Sequence, residues 1–107
     1  MWQELSVQEY QQWRVEKRPH TLLDVREAWE IEHARIGGEV IIPMNDIPLH
    51  QSQIAALEKP VVVICHAGVR SAQVAAYLAA NGIEPIHSLS GGIHAFAQEI
   101  DPNIGFY

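Results

Sequence analysis

The sequence predicts an α/β fold, a mostly parallel central sheet with helices on both faces. Three observations carry that expectation. Short apolar runs alternate with helical stretches along the chain. The runs at 21–25, 61–65 and 86–89 are too short for core helices and suit buried strands. The clearest helical stretch, 71–81, ends on Gly82 as a stop signal. A length of 107 residues fits one domain and one core, and no linker, charge block or repeat divides 1–107.

In chain order, Ser6-Val7-Gln8-Glu9 reads as a capping box, Ser6 covering the Glu9 amide and Glu9 reaching back. Leu5, Val7, Tyr10 and Trp13 then form a rough helical face that Pro19 ends. Residues 21–25 read as a strand. A short charged helix over 26–33 carries Ala28, Trp29 and Ile31, and Gly37-Gly38 breaks it. Residues 40–42 form a second strand stopped by Pro43. A helix over 49–57 places Ile54 and Leu57 three apart. Pro60 opens a third strand over 61–65, whose β-branched residues suit the middle of a sheet. The 71–81 helix turns Val74, Ala75, Leu78 and Ala79 inward. A strand over 86–89 and a last helix over 93–100 precede the polar end Asp101-Pro102-Asn103.

Composition excludes several function classes. Thirteen Asp and Glu against seven Lys and Arg give a net charge of −6. That balance, with its basic residues scattered, disfavours binding to nucleic acid or anionic lipid. The strongly apolar run 61–65 is far too short to span a bilayer. Met1-Trp2-Gln3-Glu4 does not resemble a signal peptide, and a lone cysteine is easiest to keep reduced in the cytoplasm, the expected location.

That cysteine is the focus of the chemistry. In open α/β sheets, ligands bind beyond the carboxyl ends of strands, where Cys65 falls. The loop His66-Ala67-Gly68-Val69-Arg70 then leads into the next helix. Successive backbone amides in such a turn can point inward as an anion-binding nest, backed by the positive helix end. Gly68 opens a backbone conformation closed to other residues. Arg70 adds a positive charge at the rim, and Ser71 can serve as N-cap. A lone cysteine is ordinarily a small buried hydrophobe. Strand end, loop glycine and arginine together argue instead for a nucleophilic thiol facing an anion. Cys65 and Arg70 enclose four residues. Cysteine phosphatases resemble this site but enclose five, and one residue fewer shortens the contour by roughly 3.5 Å. A smaller ring of amides suits one extra sulfur atom better than a phosphoryl group.

At these residues the chain resembles single-domain rhodaneses over most of its length. Leu22-Leu23-Asp24-Val25-Arg26-Glu27 is similar to that family's first signature. Cys65-His66-Ala67-Gly68-Val69-Arg70-Ser71 resembles its active-site loop, and Leu89-Ser90-Gly91-Gly92-Ile93 its closing double glycine. The resemblance implies a rhodanese-like fold and a sulfurtransferase in which Cys65 carries sulfur as a persulfide. It implies that the amides of His66, Ala67, Gly68, Val69, Arg70 and Ser71 cradle that sulfur. Arg70 would assist an anionic donor such as thiosulfate; cyanide, a small thiol or a protein thiol would accept. Arg35-Ile36-Gly37-Gly38-Glu39 stands where the family reads His-Ile-Pro-Gly-Ala, and Phe96 where it has Trp; both fall on scaffold. The ending from Glu99 to Tyr107 is similar to rhodanese domains fused to enzymes that activate sulfur-carrier proteins, which widens the range of acceptors.

Other residues read two ways. Asp24 and Arg26 could form an acid–base pair, but a supporting role holding the loop is favoured. The six histidines have no zinc-like spacing, so neither metal nor cofactor is expected. His66, beside Cys65, could tune the thiolate or contact the donor, or simply stand exposed. Trp2, Trp13 and Trp29 read as core or half-buried packing, and Gly91-Gly92 as a tight start to the last helix. Two rival functions remain: a noncatalytic rhodanese-like module that binds a partner protein, and a cysteine-dependent arsenate or phosphate-ester enzyme.

Overall fold

The computed structural model describes all 107 residues. Its elements are β1 (Trp2–Leu5), α1 (Val7–Val15), β2 (Thr21–Asp24), α2 (Ala28–His33), β3 (Val40–Ile41), α3 (Gln51–Ala55), β4 (Val61–Ile64), α4 (Val69–Ala80), β5 (Ile86–Leu89) and α5 (Gly92–Glu99). Two 3₁₀ turns, Met44–His50 and Pro102–Ile104, complete the chain. The sheet order is β1-β5-β4-β2-β3, and every neighbouring pair is parallel. The expected fold class is therefore observed, with strand crossovers made by helices. No helix is long and apolar enough to cross a membrane.

Alternation along β4 assigns the two faces. Val61, Val63 and Cys65 point into one core with Ile54 of α3 and Val74, Ala75 and Leu78 of α4. Val62 and Ile64 point into the other, with Tyr10 and Trp13 of α1 and Ile93 and Phe96 of α5. Each such buried aliphatic side chain contributes about 1.5–3 kcal/mol. A strand buried on both faces must read as a continuous apolar run, which is why residues 61–65 stood out. Cys65 continues that alternation just past the strand, so the core itself anchors the residue on which the site is built.

The structure corrects several expectations. β1 was not expected; it pairs with β5 in the register Trp2↔Ile86 to Leu5↔Leu89. Its alternation is too short, with one buried residue, to be read from sequence. Leu5 thus ends a strand rather than starting a helical face. The Ser6–Glu9 capping box is formed. Helix α1 stops at Val15, before Pro19, because Lys17 takes φ +54° and the chain closes with Arg18 N donating to Trp13 O (2.9 Å) and Lys17 N to Arg14 O (3.1 Å). The helix expected over 49–57 shrinks to α3, because Pro48 lacks a donor and sits inside the preceding 3₁₀ turn. Trp29 is 59% exposed rather than half-buried, standing on the outer side of α2 against His33 and Tyr107.

Candidate active site

Cys65 follows β4 at its carboxyl end, and its residue is only 1% exposed. Two amides reach its sulfur: Gly68 N at 3.1 Å and Ser71 N at 3.3 Å. Ser71 Oγ lies 3.5 Å away. The sulfur therefore faces backbone donors in the first turn of α4, where the helix dipole favours negative charge.

Two glycines shape this cradle. Gly68 caps α4 at φ +102°, and a Cβ there would stand 3.1 Å from Gly91 N. Gly92, at φ +62°, lies so close that a Cβ would meet His66 O at 2.4 Å and Cys65 O at 2.6 Å. That approach lets α5 take up the loop's first carbonyls: Ile93 N donates to Cys65 O (2.9 Å) and His94 N to His66 O (3.0 Å). With those carbonyls held outward, amides are left to face the sulfur. The double glycine is thus a tight helix start, as expected, and also half of the loop's support.

Ser71 is not the N-cap. Helix α4 begins at Val69, so Ser71 lies inside the first turn, and its hydroxyl joins Ser88 Oγ (2.7 Å) and Gly68 O (3.2 Å). Among the amides from His66 to Ser71, those of Gly68 and Ser71 are directed at the sulfur. Arg70 does not offer a free charge at the rim. Its guanidinium donates to both carboxylate oxygens of Glu30, Nη2 to Oε1 at 2.7 Å and Nη1 to Oε2 at 2.9 Å. This pairing holds the Glu30 carboxyl down to about 2 and raises Arg70 above its ordinary value.

Asp24 and Arg26 are fully buried and bonded to each other, Arg26 Nη2 to Asp24 Oδ2 at 2.8 Å and Nε to Oδ1 at 3.0 Å. Neither reaches the sulfur by hydrogen bond; they form the floor on which α2 and the C-terminal segment rest. Arg26 Nη1 donates to Tyr107 Oη (3.2 Å), and Tyr107 Oη donates to Glu30 Oε1 (3.0 Å). The Tyr107 ring stands edge-on to His66, centroids 4.3 Å apart. His66 also stacks on His94, and burial with the neighbouring His94 lowers its pKa, favouring a neutral ring. Glu30, Ser88 and Tyr107 escaped the sequence reading. Glu30 lies 40 residues from Arg70, and Tyr107 81 from Arg26, so no local spacing signals either contact.

The buried cysteine and the two glycine-bearing loops that frame it all lie within a stretch that matches the rhodanese-like domain family. That family matches residues 6–99, and the chain belongs to it. The chain is 38% identical over 77 residues to a sulfurtransferase of Allochromatium vinosum, covering 72% of this chain and 71% of that protein. It is 31% identical over 112 residues to the adenylyltransferase and sulfurtransferase MOCS3 of Aedes aegypti, covering 96% of this chain and spanning only 26% of that relative's length. The crystal structure of a rhodanese-like domain protein from Staphylococcus aureus matches with a TM-score of 0.80 and 32% identity, over 94% of this chain and 95% of that one.

Proposed function

We propose that this chain is a sulfurtransferase of the rhodanese type, with residues 1–107 acting as one domain and Cys65 as its persulfide carrier. The observation that carries the reading is the pair of amides, Gly68 N and Ser71 N, converging on Cys65 Sγ. Family membership and the sulfurtransferase relatives support it.

The cycle is a double displacement. The Cys65 thiolate attacks the outer sulfur of a sulfane donor such as thiosulfate; the donor S–S bond breaks and sulfite leaves with the electron pair. Amides preorganised for negative charge then hold the terminal sulfur. A thiophilic acceptor (cyanide, a small thiol or a protein thiol) attacks that sulfur and releases the Cys65 thiolate. The likeness to MOCS3 supports an acceptor from a sulfur-carrier pathway. The cycle requires no metal or cofactor. The net charge of −6 and the lone thiol favour a cytoplasmic protein that binds neither nucleic acid nor membrane.

Intact mass tests this. Incubation with thiosulfate should add one sulfur, about 32 Da, as a covalent intermediate removable by reductant. Cys65→Ser should take up none and form no thiocyanate from cyanide. A serine variant with full activity would sink the mechanism, and an intact wild-type loop that accepts sulfur from no donor would favour a noncatalytic binding module.

A further inference from the structure

Resting on the sulfurtransferase reading for its meaning but not for its test, we propose that Glu30 is a positioning residue that sets the charge selectivity of the site. It occupies Arg70, and so turns the site away from dianionic donors such as thiosulfate towards sulfur carried on compounds of low charge. Three observations lead there. First, the Arg70 guanidinium is paired through both terminal nitrogens with the two Glu30 oxygens, at 2.7 and 2.9 Å, so a fixed negative charge lies against it. Second, Glu30 is itself fixed. Its side chain is 4% exposed, Oε2 accepts the Glu27 amide at 2.8 Å, and Oε1 accepts Tyr107 Oη at 3.0 Å. An incoming anion would therefore meet a carboxylate that is held in place beside the guanidinium and cannot swing away. Third, the other arginine tied to this cluster is paired as well. Arg26 is consumed by Asp24, and burial favours a neutral His66.

The arginine in the loop therefore works as half of a neutral pair. Its guanidinium orients the first turn of α4, while Glu30 cancels its attraction for substrate. The fixed attraction left for a sulfur atom is the short-range pull of the loop amides, which any terminal sulfur can use. Opposite charges held this closely cancel at the distance of a substrate, whereas an isolated one would act over several ångströms.

Alkylation of Cys65 reads the charge without requiring sulfur transfer. Iodoacetate and iodoacetamide differ by one negative charge at nearly equal size. In the wild-type protein iodoacetate should react no faster than iodoacetamide. In Glu30→Gln, which keeps an acceptor for the Glu27 amide, the ratio of the two rates should rise on the order of tenfold as Arg70 is unmasked. The same variant should lower the KM for thiosulfate more than it changes kcat. A folded Glu30→Gln protein with an unchanged ratio would overturn the proposal. So would a wild-type site that already prefers iodoacetate several-fold, a measurement that stands even where the variant does not fold. Should the alkylation ratio shift while neither thiosulfate nor an uncharged organic polysulfide leaves a sulfur adduct on either protein, the charge selectivity holds and the sulfur-transfer reading is the one that fails.

Discussion

Glu30 couples the site to pH. Its carboxyl is held down to about 2, against an ordinary 4.5, chiefly by hydrogen bonds from Arg70. A lowered carboxylate contributes stability that is fully present above the unfolded-state value and is lost as pH falls through the folded one. The Glu30–Arg70 contribution should therefore be complete above about pH 4.5 and disappear towards pH 2. Urea midpoints measured over that window should fall less steeply for Glu30→Gln than for the wild type. Parallel curves would show that the pair does not contribute to acid stability. Gly92 offers a second test at this scale. A methyl group there would overlap the carbonyls of His66 and Cys65, and φ +62° adds roughly 1–2 kcal/mol of strain for any other residue. Gly92→Ala should lower the unfolding midpoint and abolish activity together, because the clashing atoms are the cradle's own backbone. A variant with wild-type turnover would mean that α5 does not hold the loop.

Among the elements, the loop between β4 and α4 is the one whose length is expected to decide which group fits. Two supports fix its size: the alternation of β4, which places Cys65 at the core edge, and the first turn of α5, which takes the carbonyls of Cys65 and His66. Insertion of one glycine between Gly68 and Val69 lengthens the span from Cys65 to Arg70 while both supports stay in place. The amides of Gly68 and Ser71 should then no longer converge on one sulfur. Misplacement of about 1 Å can cost on the order of a hundredfold, so loss of thiocyanate formation should be plain. Phosphatase activity should at most be weak, since no general acid stands ready for an ester leaving group. A folded insertion variant with full sulfur transfer would remove loop length as the determinant.

Across the whole molecule, the two apolar cores share one sheet, and β4 contributes to both. Helices on either face therefore cannot separate without exposing the same strand. Unfolding should be a single cooperative transition. In a variant with Trp2→Phe and Trp29→Phe, Trp13 reports on the α1 and α5 side through fluorescence, while far-UV circular dichroism reports on all helices; their urea curves should coincide. Separated midpoints would argue that the two faces unfold as independent units. The site depends on this unity, because Cys65 lies in one core while Ile93 of α5, which donates to its carbonyl, lies in the other.

Local chemistry in the chain was enough to place most of the elements and to put Cys65 at the end of the central strand. A strand buried on both faces must be apolar throughout, so residues 61–65 announced the centre of the sheet. A cysteine there, followed by Gly68 and the 71–81 helix, announced the cradle. The capping box, the stop at Gly82 and the paired glycines are likewise rules of neighbouring residues, and they read correctly from sequence alone. Tertiary structure decided everything that rests on distant partners. β1 is a strand because β5, eighty-odd residues later, supplies its hydrogen bonds. Trp29 is outward because α2 turns its other side to the sheet. Above all, the charge of Arg70 depends on Glu30, 40 residues away, and on Tyr107, which lies 77 residues from Glu30. A sequence states that an arginine is present; only the fold states whether its charge is already spent.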